Sequence, residues 1–156
     1  MRVFLYILII SSVLSCTPDK TAEADITRVE FVKDLYDQVL NDEIETFVSS
    51  LVDSVEWVMA NGTIYSSKQE VFNHFSRSDT TWEYWNLTDM RFDAIQGNKV
   101  LVRGTYQAKC SANDSLLIHA PFAHYWELRG GKVSKWQQYT DTKQIADIYA
   151  LCAEEL

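Results

Sequence analysis

Residues 122–142, FAHYWELRGGKVSKWQQYTDT, decide the fold. Two runs rich in aromatic and β-branched residues flank Gly130-Gly131, and a glycine pair supplies the positive-φ positions that a two-residue hairpin turn demands. In the register set by that turn, Tyr125 stands opposite Trp136 and Ala123 opposite Gln138, all on one side of the ribbon. His124, Trp126, Leu128, Val133, Lys135 and Tyr139 then share the other side. Asp141 or Thr142 is placed to cap a closing helix that carries Ile145, Ile148, Tyr149 and Cys152.

Working backwards from the hairpin, residues 81–95, 99–110 and 116–129 read as strands, with Gly97-Asn98 turning the first into the second, so the spacing predicts an antiparallel meander. Helical periodicity precedes it. Over 26–40, Val29, Val32, Leu35, Tyr36, Val39 and Leu40 recur at three- and four-residue spacing, and Asn41-Asp42 breaks the pattern. Ile44, Phe47, Val48 and Leu51 mark a second helix, followed by a short strand over 55–59. Ser67 and Glu70 have capping-box spacing, so a third helix begins there and buries Val71, Phe72 and Phe75, with His74 turned to solvent. Helices first, then a curved sheet, then one more helix define an α+β domain with the helices on one sheet face.

The first fifteen residues are a charged start at Arg2, an apolar run over 3–10 and a small-residue stretch, which is the layout of a signal peptide rather than a span. Val13-Leu14-Ser15-Cys16 resembles a bacterial lipobox, whose cysteine is lipidated and becomes the first mature residue. The expected organisation is a signal peptide over 1–15, a lipidated polar tether over 16–25 and a domain over 26–156. The protein is thus expected to be exported to the cell envelope, with the membrane as a partner through its anchor. Cys110 and Cys152 are left as either a disulfide or two half-buried thiols. With 22 acidic against 14 basic residues, the chain repels phosphates, which argues against a nucleic-acid partner. No cofactor motif stands out, and three scattered histidines without CxxC or HExxH give no metal site.

Three stretches carry a family resemblance: 43–57 (EIETFVSSLVDSVEW), 100–104 (VLVRG) and the closing hairpin over 122–142. Together they resemble the SnoaL-like branch of the nuclear transport factor 2-like superfamily, over nearly all of 26–153. The resemblance implies a cone: a strongly curved sheet closed over by three helices to form one pocket, often dimeric through the outer sheet face, where Trp126 and its neighbours would lie. It also places Trp57, Met59, Arg103, Thr105, Tyr125, Trp136 and Gln138, joined by His119 of matching parity, around the pocket.

Relatives that open epoxides use an arginine flanked by two acids, with a tyrosine and an asparagine holding water. Here Arg103 keeps the arginine, Thr105 and Gln138 stand in the acid positions, and Trp57 and Met59 stand where water would be held. Relatives that isomerise ketosteroids set a carboxylate near the end of the first strand, where this chain has Met59, which has no basicity. The implied function is therefore a binding domain for a small, largely apolar ligand rather than a known family enzyme. A cyclase- or isomerase-type enzyme using His119 and a dimeric structural module are the competing expectations. Arg103, if buried, needs either a ligand carboxylate or an internal acid such as Glu83, Asp89 or Glu127. Trp82, Tyr84 and Trp85 either rim the pocket or, as expected for the first two, pack beneath the helices.

Overall fold

A computed structural model describes residues 20–76 and 82–155. The expected signal peptide and Cys16 lie outside the described residues. The elements run α1 (Lys20–Leu40), α2 (Ile44–Ser49), β1 (Leu51–Val58), β2 (Ile64–Tyr65), α3 (Lys68–Phe75), β3 (Trp82–Ile95), β4 (Lys99–Cys110), β5 (Leu117–Arg129), β6 (Lys132–Thr140) and α4 (Thr142–Glu155). Helix α1 begins at Lys20, six residues before the expected start of the domain at 26.

One sheet holds all six strands in the order β2-β1-β6-β5-β4-β3. The β3–β6 meander is antiparallel as its glycine turns require, and β1 joins it by pairing parallel to β6, bringing Trp57 beside Trp136. Gly130 and Gly131 both have positive φ, 60° and 76°, as a two-residue turn needs.

Local signals account for the helix ends. Asp42, at φ 61°, reverses the chain after α1, and the Glu43 N–H reaches back to the Gln38 carbonyl at 2.8 Å. Ser67 Oγ accepts from the Glu70 N–H at 3.3 Å, while Glu70 Oε2 accepts from the N–H of Ser66 rather than of Ser67. Asp141 Oδ1 caps α4 through the Gln144 N–H at 3.0 Å.

The helices lie on the concave face. Val32, Leu35 and Tyr36 from α1, Phe47 from α2 and Val71 from α3 pack on Val55, Trp57, Val100, Val102, Phe122, Trp126, Val133 and Trp136 in one core. A smaller cluster, Ala108, Ile118 and Ala120, is covered by Ile145 and Ile148 of α4, and a Cys110–Cys152 disulfide pins that helix to β4.

Curvature has identifiable causes. The β3–β4 register shifts between Thr88 and Arg91, where Asp89 takes φ 53°, and such a bulge bends and twists its strand. Gly104 lies opposite Phe122 and beside this bulge, and a Cβ built there would fall 2.7 Å from the Thr88 carbonyl oxygen and 2.8 Å from the Phe122 ring. Gly104→Ala is therefore expected to cost about 1–3 kcal/mol through overpacking, measurable by urea denaturation.

A second bulge changes which residues face inward. Arg129 pairs with Lys132 and Leu128 with Val133, as the turn dictates, but the next pair is Glu127 with Lys135, and Ser134 is the extra residue. Its hydroxyl donates to the Glu127 carbonyl at 3.1 Å. From that point Trp126 opposes Trp136 and His124 opposes Gln138, one residue away from the turn-derived register. His124 and Trp126 thus lie inside with Trp136 and Gln138. The expected dimer surface around Trp126 is not there: the outer face carries Arg103, Tyr125, Glu127, Lys135 and Tyr139, and Trp126 is 3% exposed.

Candidate functional site

Between the three early helices and the sheet lies a hollow of about 110 Å³. Leu35, Tyr36 and Val39 of α1, Phe47 of α2 and His74 and Phe75 of α3 form its roof, and the sheet supplies the rest. Trp57 is the centre of the wall. Its indole stacks on that of Trp136 with ring centres 4.1 Å apart and planes 15° from parallel, while Phe47, Phe75 and Trp126 meet it edge-on at 5.6–5.8 Å. Edge-on and stacked contacts are the arrangements aromatic quadrupoles favour. Trp85 and Leu87 of β3 and Tyr106 of β4 complete the far side.

One polar chain crosses this apolar wall. Trp126 Nε1 donates to Tyr36 Oη at 3.2 Å, and Tyr36 Oη lies 2.7 Å from His124 Nδ1. Desolvation holds the Tyr36 phenol above its ordinary pKa, so it is protonated, and lowers His124 to about 3, so the imidazole is neutral at pH 7. With Tyr36 already accepting from Trp126, its own proton goes to Nδ1, and the histidine proton sits on Nε2. The opposite tautomer would leave both the phenol proton and the Nε2 lone pair buried without partners. Among the described residues, His124 Nε2 has no hydrogen-bond partner, and neither have the indole nitrogens of Trp57 and Trp136.

Burying a neutral histidine makes stability depend on pH. Between about pH 6.5, the ordinary histidine value, and about pH 3, the unfolded chain takes up a proton that folded His124 refuses, so stability falls as pH falls through that window. From pH 7 to pH 5 the expected loss from this residue is about 2 kcal/mol. Urea denaturation across that range should show it, and His124→Gln should flatten the corresponding slope.

Four of the residues expected at the pocket are brought together in it: Trp57, Met59, Trp136 and Gln138. Gln138 Oε1 also accepts from the Ala60 N–H at 3.4 Å. The other four are not. Arg103, Thr105, His119 and Tyr125 alternate with the buried Val102, Ile118, Ala120, His124 and Trp126, so the pleat turns them to the outer face. Arg103 is exposed and pairs with Asp93 at 2.7 Å, which is neither a ligand nor one of the acids expected for it. His119 is exposed, and Tyr125 donates to Glu127 at 3.0 Å.

The sequence reading missed Tyr36, His124 and Trp126 as a connected group. It also set His74 in solvent, whereas His74 stacks on Tyr65, bonds its hydroxyl at 3.2 Å and lines the hollow. Trp85 sits at the rim, 41% exposed, and Trp82 packs on Tyr149 of α4. Tyr84 is exposed rather than packed beneath the helices. A larger groove of about 420 Å³ adjoins the hollow, sharing Met59 and Gln138 and bordered by Thr140, Ile145 and Tyr149.

A curved six-stranded sheet roofed by three helices, with a fourth after the last strand, is the cone fold of nuclear transport factor 2-like proteins. Solved structures with this fold include a nuclear transport factor 2-like protein of unknown function from Burkholderia pseudomallei, 17% identical over 78% of this chain and 96% of its own, with a TM-score of 0.67. A polyketide cyclase-like protein from Xanthomonas campestris pv. campestris is similar at 13% identity, 80% and 98% coverage and a TM-score of 0.69. TerC, crystallised with polyporic acid, is similar at 22% identity, 79% and 98% coverage and a TM-score of 0.65. No family model and no curated protein matches the sequence.

Proposed function

We propose that this chain is a lipid-anchored envelope protein whose cone binds a small, largely apolar molecule in the aromatic hollow. The observation that carries the binding reading is the wall itself: a concave, aromatic-lined space with a few placed polar groups, the composition typical of small-ligand sites. The fold neighbour crystallised with polyporic acid is consistent with such a use. Size narrows the ligand. At about 110 Å³, near the ~150 Å³ of a cavity that holds benzene, the hollow takes one ring, and a larger ligand would extend past Met59 and Gln138 toward the adjoining groove.

The competing enzyme reading requires an acid or base at the bottom of the hollow. His119 is on the wrong face, and His124, the histidine in the sheet wall, is too weak a base at neutral pH with a pKa of about 3, since general bases work best near the ambient pH. His74 lines the roof rather than the floor, where it is bonded to the Tyr65 hydroxyl at 3.2 Å, so binding without proton abstraction is the better account. Tryptophan fluorescence during titration with benzene or toluene tests it: a saturable change is expected, and no change with any single-ring compound would contradict it.

Export and anchoring rest on the lipobox-like Val13-Leu14-Ser15-Cys16, with support from the Cys110–Cys152 disulfide, a bond that persists in oxidising compartments. Cys16→Ser is expected to release the protein from the membrane fraction. Retention of a processed Cys16→Ser product would overturn the anchor. Any homodimer formed through the outer sheet face would have to use its charged and tyrosine-bearing surface.

A further inference from the structure

We propose that the ligand of this domain is a ring compound carrying an uncharged chain several atoms long, with the ring in the hollow and the chain in the adjoining groove beside α4. This rests on the binding function proposed above and adds the chemical class of the ligand. The hollow, at about 110 Å³, takes one ring, while the groove offers about 420 Å³, so most of the space open to a ligand lies beyond the aromatic wall. Met59 and Gln138 border both spaces. Both residues are half-buried, and a methionine side chain has three rotatable bonds, so this partition can yield to a narrow chain without a shift of the backbone.

The two sides of the groove differ in kind. Ile145, Ala146 and Tyr149 of α4 give it apolar surface, and Asn61, Gln138 and Thr140 at the end of the sheet give it neutral polar groups. A chain of methylenes with a hydroxyl matches both. The helical side is fixed before any ligand arrives, because the Cys110–Cys152 disulfide and the packing of Ile145 and Ile148 hold α4 to the sheet. A preformed wall lowers the ordering cost of binding. Among the described residues, neither lining includes lysine, arginine, aspartate or glutamate, so a charged end group would gain no ion pair in exchange for its lost hydration.

The test is calorimetry on the full chain with toluene, 3-phenyl-1-propanol and 5-phenyl-1-pentanol, which share a ring and differ in reach. Burying one methylene strengthens binding by up to about fourfold, so 5-phenyl-1-pentanol is expected to bind at least about tenfold more tightly than toluene, with the shorter alcohol between them. Ala146→Phe narrows the groove from an exposed position outside the lining of the hollow. It is expected to weaken 5-phenyl-1-pentanol about tenfold and to change toluene less than about twofold. A readout on the unaltered chain guards against misfolding of the variant: nuclear Overhauser contacts should join the terminal methylene protons of 5-phenyl-1-pentanol to the Ile145 methyl groups. Equal affinity for toluene and the long alcohol, equal losses of both in the variant, or contacts from the chain to Trp85 in place of Ile145 would overturn the groove assignment while leaving the ring site standing. Binding of 5-phenylpentanoate or 5-phenylpentylammonium at pH 7 as tightly as the alcohol would overturn the uncharged class. If none of the three neutral probes binds the unaltered chain, the binding function itself falls, and this inference falls with it.

Discussion

Trp57→Ala is expected to destabilise the domain by about 3–5 kcal/mol, the range for removing a large aromatic from a core, and to lower the melting temperature by roughly 10–20 °C. Trp57 is 2% exposed and its ring touches Phe47, Phe75, Trp126 and Trp136, so its loss separates the α2 and α3 roof from the β1–β6 floor in one step. A gentler substitution separates structure from function. Trp57→Phe keeps a ring against the same neighbours and is expected to cost about 1–3 kcal/mol, less than the alanine change, while reducing the aromatic wall offered to a ligand. Paired thermal melts and ligand titrations of the two variants would show the contrast.

Cys152→Ser is expected to cost about 4 kcal/mol, because the bond it removes closes a loop with a sequence separation of 42 and restricts the unfolded chain accordingly. The loss should be concentrated in α4. That helix is held otherwise by Ile145 and Ile148 on a small cluster and by Tyr149 against Trp82, so hydrogen exchange should become fast along α4 while β4 and β5 stay protected. A reducing agent should bring the unaltered chain to the variant's melting temperature and leave the variant where it was. Failure of reduction to change the melting temperature would mean that the bridge is not formed in solution.

How far the sequence could be read follows the range of the interactions that decide each feature. The boundaries of β3 to β6 depend on local chemistry, glycine turns and runs of β-branched and aromatic residues, and they were legible nearly to the residue. The inward set on β5 and β6 was not, since one bulged residue reverses the faces. A signal for it was present: Val133 and Trp136, both apolar and three apart, enclose the polar Ser134-Lys135, which strict alternation cannot bury together but a bulge can. Likewise Val100 and Val102 already argue that Arg103 points outward, against the placement the resemblance implied.

The Tyr36–His124 contact is different. Its partners are 88 residues apart, one on a helix stripe that reads as ordinary core and the other on a strand whose parity was inverted. No local pattern in either segment names the other, so this hydrogen-bonded chain emerges only from the packing of α1 on the sheet. Trp57 and Trp136 were legible as a pair because they lie on strands that the family likeness sets side by side. Gln138 follows from β6 and Met59 from its place just past the end of β1.

The central claim is that the space beside the paired indoles admits a single ring. A crystal soaked with bromobenzene tests it most directly through the anomalous signal of bromine. The account requires a bromine peak in van der Waals contact with the side chains of Trp57, Trp136 or His124, whereas a fully soaked crystal with bromine only on the outer surface would contradict it.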